Sequence, residues 1–180
     1  GNPWTTSFTE DSFGNIWIGT YRNGTFCFHK NQTPFQKSMS GKNIECMSTD
    51  HSGNYWIGSL NGEVCVLDST QKQIMGKTIF PNDMIHTICG QESLNKVWVG
   101  TMYGLYEAWI ENNKQIVYQK TSGINIPSIR SIVQDSCFLW IASYNNGVTL
   151  YNHSTRQSVV TYRTDSEVLP LPSNTIRTIL

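Results

Sequence analysis

Four tryptophans stand in one recurring context along this chain of 180 residues. They are Trp17, Trp56, Trp98 and Trp140, in the segments "DSFGNIWIGT", "DHSGNYWIGS", "ESLNKVWVGT" and "DSCFLWIAS", with successive spacings of 39, 42 and 42 residues. Each is followed by a β-branched and then a small residue: Ile18-Gly19, Ile57-Gly58, Val99-Gly100 and Ile141-Ala142. A glycine turn comes next ("YRNG", "LNG", "MYG", "YNNG"), then an alternating run ("TFCFH", "EVCVLD", "LYEAW", "VTLYN"). An apolar run opens three of the units ("NIECMSTD", "MIHTICGQ", "SIRSIVQD"); the first opens with "TTSFTED", and "NTIRTIL" begins a fifth. A repeat of this period means that each unit is one supersecondary element, and that it buries its faces only against its neighbours.

The internal pattern says which element. Helical repeats of similar length need amphipathic stretches of 3.6-residue period, and none of useful length occurs. Short β-rich runs alternate instead with Gly, Asn, Asp, Ser and Pro, and "FGN" and "SGN" supply residues that accept positive φ in tight hairpins. Four strands fit in each unit, which predicts an all-β chain of four four-stranded antiparallel β-propeller blades and the start of a fifth, part of a larger propeller. The expected blades cover about 5–42, 43–84, 85–128 and 129–175, with 176–180 beginning the next. Inner strands are expected at 5–10, 43–49, 85–90 and 129–134, and tryptophan strands at 15–20, 54–59, 96–101 and 138–143. Third strands are expected at 24–29, 62–67, 104–109 and 147–151, and outer strands at 34–38, 73–80, 115–120 and 157–163. In this arrangement the tryptophans anchor the stacked sheets, and the small residue two positions on admits the neighbouring blade.

Charge and cysteine content exclude several functions. Only 14% of residues are charged, and 13 Lys+Arg balance 13 Asp+Glu. A net charge of zero gives no field to hold a polyanion, so nucleic acid is not an expected partner. No apolar run is long enough to span a bilayer. The chain starts "GNPW" and stops "NTIRTIL" in mid-pattern, so it reads as a piece of a longer protein. Cys27, Cys46, Cys65, Cys89 and Cys137 form no C-x-x-C pair and read as separate thiols, without a disulfide framework. His29, His51, His86 and His153 occupy different places in the units and form no metal set, so no metal or cofactor is expected.

The units differ from other propeller repeats. Trp–Asp repeats place Asp after the tryptophan, Kelch repeats carry paired glycines, and the sialidase Asp-box needs Asp-x-Gly. "EDSFGNIWIGT" and "LPSNTIRTI" instead resemble the two-component regulator propeller repeat, whose pattern runs Asp-x-x-Gly-Asn-apolar-Trp-Ile-Gly-Thr, then Asn-Gly-Gly-Leu, then Leu-Pro-Ser-Asn-x-Ile-x-x-Ile. The third and fourth units drift, with "SLNK" and "SCF" in place of the Gly-Asn turn. The resemblance implies the periplasmic sensor region of a hybrid two-component regulator of Bacteroides-type bacteria. Two propellers and a small β-sandwich are joined there through a membrane helix to a cytoplasmic histidine kinase, often with receiver and AraC-type DNA-binding modules. Many such sensors detect oligosaccharides released from glycans.

Candidate ligand contacts lie on the face shared by the loops between second and third strands and the loops leading into the inner strands. They are Tyr21, Arg22, Asn61, Tyr103, Tyr144 and Asn145, since aromatic rings stack on sugar C–H faces while amides and guanidinium bond hydroxyls. Asn23, Asn61 and Asn146 also suit turn geometry alone, and Asp11, Asp50 and Asp135 read as turn-capping carboxylates. No two carboxylates are expected to converge as a glycosidase requires, so no catalytic residue is assigned. The expected function is therefore non-catalytic sensing of a small carbohydrate, with the rest of the parent sensor as partner. The alternatives are a propeller lyase or lactonase, which needs clustered His, Asp or Glu, and a protein-interaction scaffold. Exposed sheet faces at the ends of four blades also predict a homodimer.

Overall fold

The computed structural model describes residues 4–11, 13–29, 36–38, 41–68, 70, 72–91, 94–111 and 115–180. They form sixteen strands in four antiparallel sheets of four. The first sheet is β1 (Thr5–Glu10), β2 (Ile16–Thr20), β3 (Gly24–Phe28) and β4 (Gln36–Ser38). The second is β5 (Ile44–Thr49), β6 (Tyr55–Ser59), β7 (Glu63–Leu67) and β8 (Gln73–Thr78). The third is β9 (Ile85–Gly90), β10 (Lys96–Thr101), β11 (Leu105–Ile110) and β12 (Ile116–Lys120). The fourth is β13 (Ile129–Asp135), β14 (Phe138–Ser143), β15 (Gly147–Asn152) and β16 (Gln157–Tyr162). Every sheet is a meander in chain order, and the first strands pack side by side: β1 on β5, β5 on β9, β9 on β13. These are propeller blades, with β1, β5, β9 and β13 innermost.

The apolar core lies in layers between blades. Trp17, Cys27, Ile44, Tyr55, Ile57, Cys65 and Leu67 fill the space between the first and second blades. Trp56, Val64, Val66, Ile85, Val97, Val99 and Ala108 belong to the layer between the second and third. Trp98, Leu105, Ile129, Leu139, Ile141 and Tyr151 lie between the third and fourth. Two-sided burial explains why β6 and β10 are buried almost throughout, whereas β2 and β14, in the end blades, alternate buried and half-buried residues. At one end of the stack Phe8, 77% exposed, pairs with Ile18, which pairs with Phe26. At the other, Val133, Trp140, Leu150 and Val160 form a row of half-buried residues. Trp140 is thus not enclosed like its three counterparts: its ring faces the end of the stack and stacks on Tyr162 at 6.2 Å.

The small residues after the tryptophans do receive the next blade. A Cβ on Gly58 would lie 2.7 Å from Ile85 Cγ2, and one on Gly100 would lie 2.5 Å from Ile129 Cγ2. The turns before the tryptophan strands are held by carboxylates. Asp11 accepts the backbone N–H groups of Phe13 and Asn15, the Asn15 amide and the Trp17 indole N–H. Asp50 accepts the corresponding groups of Asn54 and Trp56. Asp135 departs from this expectation. The fourth turn is shorter, with Ser136 at φ 53°, and Asp135 ends strand β13 exposed to solvent. The third unit has Glu92 where the others have aspartate and lacks the Gly-Asn turn, and Trp98 donates to Gln134 of the next blade at 3.2 Å.

Candidate functional site

A β-bulge interrupts the same place in every inner strand. Pairing with the tryptophan strand skips Thr6 in β1, Glu45 in β5, His86 in β9 and Arg130 in β13. An extra residue in a bulge has no ladder partner, and its side chain is re-aimed out of the pleat. Each of these residues follows the first residue of the strand core (Thr5, Ile44, Ile85, Ile129), three of which are fully buried isoleucines. The buried isoleucine locks the strand against the preceding blade, and the bulged residue turns to the axis.

The four side chains converge there. Thr6, Glu45, His86 and Arg130, with Tyr144 from the β14–β15 turn and Arg177 from the segment after the fourth blade, line a cavity of about 380 Å³. One residue from every blade therefore contributes to one polar space. Arg130 Nη1 donates to His86 Nδ1 at 3.1 Å, and its guanidinium lies 5.4 Å from the Tyr144 ring centroid. A guanidinium can only donate, so Nδ1 is an acceptor and the proton of the neutral imidazole sits on Nε2. Burial and the adjacent Arg130 charge push the His86 pKa down to about 4, which agrees with that tautomer. Glu45 Oε1 lies 4.0 Å from His86 Nδ1, but with the ring neutral this is proximity and not an ion pair. Burial pushes the Glu45 carboxyl up, against the opposing pull of Arg130.

Of the residues expected from sequence, Tyr144 lines this cavity. Tyr21 is half-buried, with the exposed Arg22 guanidinium 5.0 Å from its ring centroid. Asn61 accepts a hydrogen bond from the Ser59 hydroxyl. Tyr103 is 58% exposed, and Asn145 accepts from Thr175 Oγ1 at 2.9 Å. These five lie on the loops around the cavity and are not brought together by it. Backbone geometry explains two of them: positive φ falls on Arg22 (74°) and Asn145 (76°), at the same position of equivalent turns, and not on Asn23 or Asn146. Glu45, Arg130, Arg177 and Thr6 were not singled out from sequence. For Glu45, Arg130 and Arg177, as for His86, the signal is the residue after the first isoleucine in "NIECM", "SIRSI", "TIRTI" and "MIHTI", which changes chemistry from unit to unit while its neighbours stay apolar or small; Thr6 follows a threonine instead.

Asp83 is buried near the axis but is structural. Its Oδ1 accepts the backbone N–H groups of Met84 at 2.8 Å and Met102 at 3.0 Å, which joins the loop before β9 to the β10–β11 turn. Among the described residues no group of three His, Cys, Asp or Glu is placed to hold a metal ion. Among the described residues the cavity lining contains a single carboxylate, together with two guanidiniums, an imidazole, a hydroxyl and a phenol. That set can bind and orient a polar ligand through hydrogen bonds and charge.

Known proteins share this architecture. Residues 1–22 match the family model of the two component regulator propeller. The whole chain aligns with the extracellular domain of a putative hybrid two component system from B. thetaiotaomicron, at TM-score 0.76 and 24% identity. The chain spans about a quarter of that domain's length, 24%. An auxiliary nutrient binding protein from Bacteroides thetaiotaomicron is also similar, at TM-score 0.69 and 12% identity over 88% of this chain and 46% of that one. So is the Cps50 (Swd1) β-propeller domain of Myceliophteria thermophila, at TM-score 0.65 and 11% identity over 82% of this chain and 55% of that one. No curated protein matches the sequence. The fold is that of a β-propeller.

Proposed function

We propose that this chain belongs to the extracytoplasmic, periplasmic part of a hybrid two-component sensor, and that its axial cavity binds a small glycan-derived ligand without transforming it. The observation that carries the reading is the set of equivalent bulges at Thr6, Glu45, His86 and Arg130, which aims one polar side chain per blade at a shared space. The match of residues 1–22 to the regulator propeller and the likeness to a hybrid-system extracellular domain support the sensor role. The cavity volume falls in the range of small-ligand sites, and its lining suits hydroxyl-rich molecules. A ligand that touches four blades binds only their assembled stack. It therefore stabilises that stack, and at a hundredfold excess over Kd the gain is about 2.7 kcal/mol. Such a change is of a size that the rest of a sensor can use as a signal.

The test is a thermal-shift screen with neutral and acidic oligosaccharides. At least one ligand is expected to raise Tm in a concentration-dependent way, and Glu45→Ala and His86→Ala should abolish the rise. A panel that gives no shift, or a shift that both variants retain, contradicts the proposal.

A further inference from the structure

We infer that the axial cavity reads an acidic sugar, with Arg130 and Arg177 receiving the ligand's carboxylate while Glu45, His86 and Thr6 hold its hydroxyls. The inference rests on the proposed ligand-binding role and specifies the ligand class. Three observations carry it.

First, guanidiniums outnumber carboxylates in the lining of the cavity, and the nearby Asp83, which also acts on His86, is taken up by the backbone N–H groups of Met84 and Met102. Arg130 and Arg177 are cationic, Glu45 is the single carboxylate of the lining among the described residues, and His86 is a neutral acceptor toward Arg130. Among the described residues neither guanidinium is in an ion pair. Second, Arg130 is only partly used by the protein. Its Nη1 bonds His86, whereas its Nε is buried with no hydrogen-bond partner among the described residues. A buried N–H of a charged group without an acceptor is costly, and an incoming anionic oxygen removes that cost. The Nε side of a guanidinium offers parallel N–H groups that match the two oxygens of a carboxylate. Third, the fork is fixed in place. The bulge sets the Arg130 backbone, His86 holds one nitrogen, and the Tyr144 ring lies 5.4 Å from the guanidinium carbon. A donor held this way loses little freedom when the ligand binds. The Tyr144 ring, 42% exposed, also offers an apolar surface for a sugar face.

Isothermal titration calorimetry of the purified protein tests this with paired probes: a galacturonate oligosaccharide, the galactose oligosaccharide of the same linkage and length, and a sulfated galactose oligosaccharide. The uronate form is expected to bind at least tenfold more tightly than its neutral counterpart, with affinity falling as salt rises. Arg130→Gln and Arg177→Gln should each weaken uronate binding about tenfold or more, and each should weaken neutral-sugar binding by at least about fivefold less than that. Arg177 is exposed, so its variant decides the matter if Arg130→Gln does not fold. Equal affinity for the uronate and neutral forms, unchanged in both variants, overturns the inference and leaves the ligand-binding role standing. Preference for the sulfated form over the uronate overturns the carboxylate assignment. Binding of none of the three, by a protein that does respond to another oligosaccharide in the thermal-shift screen, overturns the inference alone; the absence of any response removes both.

Discussion

Asp11 joins two blades, and replacing it should show how strongly. Its carboxylate is 8% exposed and accepts the Tyr55 hydroxyl of the second blade at 2.6 Å as well as the N–H groups of its own turn. Burial alone would raise its pKa, but hydrogen bonds from Tyr55, Asn15 and Trp17 outweigh that and hold it at about 2 against an ordinary 3.8. A depressed folded-state value stabilises the protein above the unfolded value and loses that contribution as pH falls through the folded one. The window therefore runs from about pH 4 down to about pH 2, and the shift corresponds to about 2 kcal/mol. Asp11→Asn keeps the shape and removes the charge, so it should cost about 2 kcal/mol at pH 7. Urea unfolding followed by tryptophan fluorescence at pH 7, 4, 3 and 2 measures the cost. The difference between the two proteins should shrink as pH falls through the window, because protonated Asp11 then resembles the amide. Tyr55→Phe in both backgrounds should reveal a coupling of about 1 kcal/mol or more across the blade interface. A variant within about 0.5 kcal/mol of the parent at pH 7, or a difference that stays constant from pH 4 to pH 2, would refute this account of the turn.

Other consequences follow from the packing. Gly58→Ala places a methyl 2.8 Å from Cys46 Sγ and 2.7 Å from Ile85 Cγ2. It should destabilise by about 1–3 kcal/mol in urea unfolding, with part of the loss recovered by Ile85→Ala. Trp56→Ala empties an enclosed site and should cost about 3–5 kcal/mol, whereas Trp140→Ala, at the end of the stack, should cost less than half as much. Equal costs would show that the fourth tryptophan is packed like the others. Burial pushes the Cys65 thiol up to about 11, so at pH 8 it should resist alkylation until the protein unfolds, while the half-buried Cys137 near the β13–β14 turn reacts first. Mass spectrometry of the labelled peptides gives the order.

The blade pattern was legible because it is written in residue types with local consequences. Asp11, Gly14, Asn15 and Trp17 specify a turn and an anchored strand within seven positions, and the second unit repeats them. Each expected strand appears within about two residues of its place. Where the turn changed length, the same signals misled. Asp135 lies five positions before its tryptophan instead of six, so it cannot curl back to the indole N–H and stays in the strand. The loop residues were half legible. The Asn-Gly signal located the turns, but Arg22 and Asn145, not the asparagines before glycine, took the left-handed conformation. The axial set was the least legible. Strict alternation gives Glu45, His86 and Arg130 no special direction, and only the bulge, a feature of strand pairing and blade closure, turns them inward. The changing residue after a recurrent isoleucine was the available sign.

The most direct test of the account follows the arginine side-chain Nε–H signals by NMR while a galacturonate oligosaccharide is added. Arg130→Gln assigns one signal and Arg22→Gln another. Binding at the axis predicts that the Arg130 signal shifts and saturates at the ligand concentration found by calorimetry, with Arg22 unmoved. A ligand that binds while Arg130 stays still and Arg22 shifts would place the site on the outer loops and contradict the axial reading.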